Sequence, residues 1–286
     1  MPKITIGLPV YNAEGTIARA LKGLLSQTEP CIELLISDNS STDRTYEICA
    51  AFAASDSRIR LRQQEQNIGA ARNFRYVLDN ASCEFFMWAA ADDFHSPDFI
   101  ARNLEFLRGH PEYAGSISPV QFPDDPCPSK TIGDMAIDQD CPLDRLASYI
   151  DCWHRNSIFY GVYRTDSLRK TIWRGDPTIG EDWIVMIRIL RFWKLGRIDS
   201  GALIRSSGGA SNSLGVFSPM LSGLSHFMFP SHALVRTILD EYSTILGRRV
   251  LIAACCFRVM AGVPAMWLIF FKRWLINQGK LLACTR

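Results

Sequence analysis

Phe85-Phe86-Met87-Trp88-Ala89-Ala90-Ala91-Asp92-Asp93 is an unbroken apolar run that ends, without transition, in two carboxylates. Such a run predicts a central strand buried on both faces, as in a parallel sheet. Ligands of open α/β sheets sit in the crevice outside the carboxyl ends of the strands. The pair is therefore presented at the mouth of a ligand site, and Ala89 to Ala91 are too small to block an approach to it. Two neighbouring carboxylates resist staying charged unless a cation sits close. A hard cation such as Mg²⁺ or Mn²⁺, bridging the protein to phosphate oxygens, resolves that conflict. The plainer alternative has Asp92 and Asp93 opening the next helix. Against it, Ser96-Pro97 already offers an N-cap and a proline at the first helical position.

Ile4 to Val10 is a first strand, stopped by Pro9 and the turn at 11–15. Ile17, Leu21, Leu24 and Leu25 recur at helical spacing. Ile32 to Ile36 is a second strand that runs into Ser37-Asp38-Asn39-Ser40-Ser41-Thr42-Asp43. Ser41 or Thr42 is an N-cap for a helix over 44–54. A third short strand at 59–61 leads through Asn67-Ile68-Gly69 to a helix over 70–79, and then to the strand that ends at Asp92. Strand and helix alternating four times predict an α/β fold, a mostly parallel sheet with helices on both faces. No G-x-G-x-x-G follows the first strand, so a dinucleotide-binding oxidoreductase loses its main support.

The four strand ends together carry a resemblance. Pro9-Val10-Tyr11-Asn12-Ala13-Glu14, then 37–43, then Asn67-Ile68-Gly69-Ala70-Ala71-Arg72-Asn73, then Asp92-Asp93 resemble the family 2 glycosyltransferases of the GT-A fold, over at least residues 3–205. The resemblance implies a nucleotide pocket lined by Pro9, Tyr11, Asn12, Glu14, Asp38, Arg72 and Asp92, with Asp38 accepting a hydrogen bond from the base. The plain alternatives are an Asx-turn role for Asp38 and a solvated helix arginine for Arg72. It also implies a divalent metal, Mg²⁺ or Mn²⁺, on Asp92 and Asp93. The sequence departs from the family's Asp-x-Asp signature at Ala90, where the first carboxylate is expected. A second departure falls at Ser206 and Ser207, where many relatives carry a metal- or diphosphate-binding histidine. None of His95, His110, His154, His226 and His232 stands at a ligand position.

Beyond the helix predicted over 97–108, 115–120 looks like a strand and 122–142 like an exposed, Pro- and Asp-rich excursion. Strand character resumes over 158–164, where Gly161-Val162-Tyr163-Arg164 is similar to a family segment beside the donor sugar, and again over 196–205. Gly180-Glu181-Asp182-Trp183 opens a helix. Acidic residues in a first turn are favourable against the helix dipole by themselves. The resemblance adds a role: Asp182 as general base on the acceptor hydroxyl, and Glu181 orienting the acceptor.

The 286 residues carry a formal charge of +2, unevenly spread. After Glu241 there is no Asp or Glu, yet there are Arg248, Arg249, Arg258, Lys272, Arg273, Lys280 and Arg286. A basic end on an acidic body points to an anionic partner. The apolar segment 251–271 is interrupted by Arg258, Gly262 and Pro264, which fits an interfacial or re-entrant helix better than a clean span. A buried helical hairpin is the soluble alternative. The expected organisation is a GT-A nucleotide-sugar-binding and catalytic domain over 1–212 and a helical, basic, apolar tail over 213–286. Nine cysteines without C-x-x-C spacing suggest neither a disulfide framework nor a zinc site, and no signal peptide is expected at the N-terminus.

The expected activity is therefore an inverting glycosyltransferase (hexosyltransferase type, EC 2.4). It would move a sugar from a nucleotide diphosphate sugar to an acceptor hydroxyl on a glycan or lipid-linked acceptor, in polysaccharide or glycolipid assembly. The expected location is cytoplasmic, peripheral on the inner face of the cell membrane. The alternative is a non-catalytic nucleotide-sugar-binding scaffold subunit at the membrane. A nucleotidyltransferase would want a Gly-rich, basic loop after the first strand, which 11–15 is not. Nucleic acid is not an expected partner, because the tail's charges flank apolar sequence.

Overall fold

The computed structural model describes residues 3–123, 133–151, 156–172, 175, 178, 180–206 and 232–244. Its frame is a seven-stranded sheet ordered β3-β2-β1-β4-β8-β6-β9. The strands are β1 (Ile4–Val10), β2 (Ile32–Asp38), β3 (Ile59–Gln63), β4 (Phe85–Trp88), β6 (Tyr113–Ile117), β8 (Val162–Arg164) and β9 (Lys194–Arg197). The first four are mutually parallel, β8 runs antiparallel to both neighbours, and β9 is parallel to β6. Every residue of β1, β2 and β4 is buried. Only a sheet covered on both faces gives that pattern.

The helices between the strands are α1 (Ile17–Leu25), α2 (Thr45–Ser55), α3 (Ala70–Asp79) and α4 (Phe99–Gly109). Gly7, in the middle of β1, marks a close approach of layers. A methyl group there would lie 2.6 Å from the Phe86 ring and 2.8 Å from Val77 of α3. Trp88 ends β4 fully buried, stacked on Phe159 with centroids 4.4 Å apart, its indole N–H donating to the Phe74 carbonyl.

Two short strands and a third form a separate sheet: β5 (Phe94–His95), β10 (Leu203–Ile204) and β7 (Val120–Gln121), in the order β5-β10-β7. The remaining helices are α5 (Pro142–Ile150), a 3₁₀ turn at Ser157–Tyr160, α6 (Thr165–Thr171), α7 (Glu181–Phe192) and α8 (His232–Tyr242). Leu234, Ile238 and Tyr242 of α8 are buried in the same core as α7. The Tyr242 hydroxyl donates to the Ile187 carbonyl, and the Arg191 Nε donates to Glu241 O.

Several local expectations are corrected. The strand through the apolar run stops at Trp88, four residues before Asp92, and the alanines that follow are irregular. Ser41 and Thr42 do not cap α2; Asp43 accepts from the Thr45 amide and hydroxyl instead. Ser96 gives no cap to α4, whose N-cap position is Asp98; the Ser96 hydroxyl donates to the Asp98 carboxylate. The segment 115–120 is split between β6 and β7, 158–164 is a 3₁₀ turn followed by a strand, and 196–205 is the end of β9 and then β10. The supposed excursion over 122–142 contains buried Ile137, bonded to β9 through Leu195, and ends in α5. Residues 213–231 and 245–286 of the tail lie outside the described residues, among them the apolar segment 251–271. Among the described residues no helix is long and apolar enough to cross a membrane.

Candidate active site

Register fixes the site. Val10 is paired with Asp38 and Asp38 with Gln63, so the ends of β1, β2 and β3 lie in a row. Asp38 closes β2 and is fully buried. One of its carboxylate oxygens accepts from the Ser41 amide at 3.1 Å and from the Gln63 side chain at 3.3 Å. The other is buried with no partner. An orphaned buried acceptor is costly to leave unmade, and an N–H donor on a bound base would satisfy it.

The loop after β1 is locked to the loop after β2. Asn12 sits at φ 49°, donates to Thr42 Oγ1 and accepts from the Thr42 amide. Glu14 accepts from the Arg44 amide, and Asp43 accepts from the Glu14 amide. Asn12 and Glu14 thus shape the pocket wall through their own hydrogen bonds. Tyr11 is 46% exposed, Pro9 is buried in β1, and Arg72 is exposed in the first turn of α3.

On the other side stand Asp92 and Asp93, and they differ. Asp92 is partly exposed, whereas Asp93 is 3% exposed. The reason is again register: β10 runs antiparallel to β5 with Ile204 opposite Phe94, so the next residue out, Arg205, meets Asp93. The Arg205 Nε donates to Asp93 at 3.2 Å, and the Ser206 amide donates to its second oxygen at 3.2 Å. Burial pushes the Asp93 carboxyl up to about 6, aided by the charge of Asp92 and opposed by Arg205. Arg205 lies over the Tyr160 ring at 4.2 Å and the Phe122 ring at 5.6 Å, contacts that help to hold the guanidinium. Neighbouring His95 is fully buried, edge-on to Phe99, with both ring nitrogens unpartnered, and burial pushes it down to about 3. It is a neutral core residue.

The third component is the start of α7. Gly180 precedes it in a left-handed conformation, φ 80°, which turns the chain so that Glu181 and Asp182 fall in the first turn. Glu181 accepts from the Thr178 amide at 2.8 Å, and burial, then Asp182, push it up to about 7. Burial also raises Asp182, against the hydrogen bond it accepts from the Asn156 side chain at 2.9 Å. The charge of Arg205 reaches both Asp93 and Asp182, and Tyr160 lies in the field of Asp92, Asp93 and Asp182 together. Arg205 also donates to Ser157 Oγ at 3.4 Å, and Ser157 follows Asn156, the partner of Asp182, so the two acidic pairs lie close together. Burial works against the charge on Asp93 and Asp182, and the Arg205 guanidinium favours it.

Sequence reasoning passed over Arg205, Tyr160 and Asn156. Arg205 stood only as the end of a strand, and its importance follows from the pairing of two-residue strands that leave no periodic signal. Among the described residues no three His, Cys, Asp or Glu side chains converge on one point.

The sequence matches the family described as glycosyl transferase family 2 over residues 5–161, more than half of the chain. It is 31% identical over 106 residues to TuaG of Bacillus subtilis (strain 168), which carries the name of a teichuronic acid biosynthesis glycosyltransferase; the match covers 37% of this chain and 42% of TuaG. The matches to curated relatives span less than half of those proteins' own lengths. S. aureus TarS 1-349, solved in complex with UDP-GlcNAc, superposes with a TM-score of 0.66 at 18% identity, covering 90% of this chain and 72% of that one. The mannosyltransferase PcManGT from Pyrobaculum calidifontis, in complex with GDP-Man and Mn²⁺, gives a TM-score of 0.55 at 14% identity over 96% and 85% of the two chains. At these identities the likeness is one of fold, the GT-A arrangement expected from the four strand ends.

Proposed function

The chain belongs to glycosyl transferase family 2, and on that premise we propose that it transfers a sugar from a nucleotide diphosphate sugar to an acceptor hydroxyl, with inversion at the anomeric carbon. The observation that carries this reading is the raised, partly exposed Asp182 at the start of α7, close to the Asp92-Asp93-Arg205 group. The complexes of TarS with UDP-GlcNAc and of PcManGT with GDP-Man support a nucleotide-sugar donor.

In this reading Asp38 receives the base N–H on its orphaned oxygen, Tyr11 covers the base with its exposed ring, and Arg72 faces the nucleotide from α3. Asp182 takes the acceptor hydroxyl proton as that oxygen forms its bond to the anomeric carbon. The bond from that carbon to the diphosphate breaks on the opposite face, and its electron pair leaves on the β-phosphate oxygen. Glu181, protonated in part at neutral pH, donates a hydrogen bond to the acceptor and orients it.

The residues present fit a divalent cation through Asp92. Mg²⁺ is commonly held by one or two carboxylates, with water and substrate phosphates completing its shell. Asp92 is partly exposed, while both oxygens of Asp93 are already engaged. Asp93 therefore enters the proposal as the anchor of Arg205, and Asp92 as the metal-holding residue. When bound, such an ion supplies positive charge to the leaving diphosphate. The acceptor is a glycan or lipid-linked glycan in surface polysaccharide assembly, met at the cytoplasmic face of the membrane through the basic tail.

Two experiments test the proposal. In the first, a panel of UDP- and GDP-sugars is scored for thermal stabilisation of the protein with and without Mn²⁺, and for donor hydrolysis. Stabilisation with slow release of nucleoside diphosphate supports transfer; stabilisation with no turnover toward any acceptor supports the scaffold alternative. In the second, Asp182→Asn is expected to lose about 10²–10⁴-fold in turnover with donor binding retained. Near-normal turnover of that variant removes Asp182 from the role of base.

A further inference from the structure

Asn156 bonds Asp182 from outside α7, and it is built in from both ends. It is 2% exposed, and its side-chain amide N–H donates to Asp182 Oδ2 at 2.9 Å. Its carbonyl oxygen accepts from the Tyr149 hydroxyl at 2.6 Å. Tyr149 is fully buried on α5, with its ring 4.9 Å from that of Trp183, the residue after Asp182. Asn156 itself sits at φ 47°, ψ 41°, immediately before the 3₁₀ turn. That left-handed conformation is tolerated by few side chains, Asn among them. The position thus demands Asn for two independent reasons: the backbone conformation, and an amide able to donate at one end while accepting at the other.

We propose that Asn156 is a positioning residue for the catalytic base, aiming the Asp182 carboxylate at the acceptor, and that Tyr149 acts through Asn156 by fixing and polarising its amide. The inference rests on the reading of Asp182 as base. The Asn156 donor on Oδ2 fixes the orientation of the carboxylate toward the acceptor. It also selects one rotamer of a short side chain that burial alone would not hold. Tyr149 is well above its usual range through burial and stays a hydroxyl donor at any working pH. Hydrogen bonds in such a chain strengthen one another. The charged or titratable groups that face Asp182 are Glu181 on α7, Tyr149 on α5, Tyr160 in the 3₁₀ turn and Arg205 after β10. Of these, Tyr149 donates to Asn156.

The test reads Asp182 directly and needs no knowledge of the donor. The full chain is labelled with ¹³C at aspartate carboxyls, the Asp182 signal is identified by its loss in Asp182→Asn, and its titration is followed by NMR. Asn156→Gly keeps the left-handed backbone while removing the amide, and Tyr149→Phe removes one hydroxyl. Losing the donor to the carboxylate disfavours its charged form, so the Asp182 midpoint is expected to rise by about one pH unit in Asn156→Gly. Tyr149→Phe is expected to raise it by less. The double variant is expected to fall short of the sum of the two single shifts, because Tyr149 acts on Asp182 mainly through the amide. An unmoved midpoint in Asn156→Gly, or a double variant that reaches the sum, overturns the inference. If Asn156→Gly does not fold, an unmoved midpoint in Tyr149→Phe overturns the coupling by itself. Turnover of Asp182→Asn separates the two layers. Full turnover overturns the reading on which the inference rests, and a dead Asp182→Asn with unmoved midpoints overturns the inference alone.

Discussion

Glu181 holds a proton that the unfolded chain would release. Its carboxyl lies at about 7 in the fold against an ordinary value of 4.5, raised first by burial and then by Asp182. Below 4.5 both states are protonated and the group contributes nothing to the pH dependence of stability. Between 4.5 and about 7 the folded state binds the extra proton, so stability falls as pH rises, and above about 7 that loss is complete. Glu181→Gln lacks this liability. The melting temperature of the variant should therefore gain on that of the native protein between about pH 4 and about pH 8, as scanning calorimetry across that range would show. A gap that stays constant or narrows would refute the assignment of a neutral Glu181 to the folded state. The same raised pair predicts an acid limb in kcat/KM above the usual carboxylate range, reported as one macroscopic value for two coupled groups. Asp38, Asp92 and Asp182 were singled out in the sequence, Asp92 by the apolar run that leads into it and Asp38 and Asp182 by the motifs that carry the family resemblance. Arg205 and Asn156 were not. The first depends on a cross-strand register between β5 and β10, and the second on a left-handed turn; neither leaves a spacing that a single sequence displays.

β1 fixes how tightly the layers above the sheet can close. A methyl group at Gly7 would press on the Phe86 ring at 2.6 Å and on Val77 at 2.8 Å, both fully buried. Gly7→Ala should cost about 1–3 kcal/mol, the usual range for overpacking a filled core. Each kcal/mol is expected to lower Tm by about 2–4 °C in a domain of this size. Phe86→Leu should recover part of that loss when combined with Gly7→Ala, giving a destabilisation below the sum of the two single changes. Strict additivity in denaturant titrations would show that the clash relaxes elsewhere. The same scale explains what was readable among the elements. The strands β1, β2 and β4 follow from apolar runs, because their burial is continuous, and α1 follows from Ile17, Leu21 and Leu24 at helical spacing, all three buried. α5 was hidden inside a segment rich in Pro and Asp, although Leu143, Leu146, Tyr149 and Ile150 recur at helical spacing there and all four are buried. The capping residues were misplaced for a different reason. Ser, Thr and Asp stand close together before α2 and α4, and which of them bonds the first free amide is settled by contacts between loops.

For the whole molecule, the question is where the catalytic unit ends. A boundary at 212 leaves out α8, yet Leu234, Ile238 and Tyr242 are buried against α7, the helix that presents Glu181 and Asp182. A further contact ties α8 to the site itself: Leu234 lies against Gly180, where a methyl group would meet its side chain at 3.3 Å. Burying an apolar side chain of this size is worth about 1.5–3 kcal/mol, so the three together amount to about 5–9 kcal/mol. That is comparable to the entire stability of a typical domain, about 5–15 kcal/mol. A chain ending at 212 should therefore lose its cooperative melting transition or aggregate through the bared face of α7, and should show no donor-dependent stabilisation. A chain ending at 244 should melt cooperatively and keep donor binding, because it retains every α8 contact described. The comparison also isolates the basic, apolar remainder. If the 244 chain keeps soluble turnover but loses association with anionic vesicles that the full chain shows, the tail beyond α8 is a membrane-directing segment and not part of the catalytic core. Should the 212 chain instead fold and turn over like the full one, α8 would be an accessory helix, and the stabilisation assigned to its three buried side chains would have to come from α7 repacking without it.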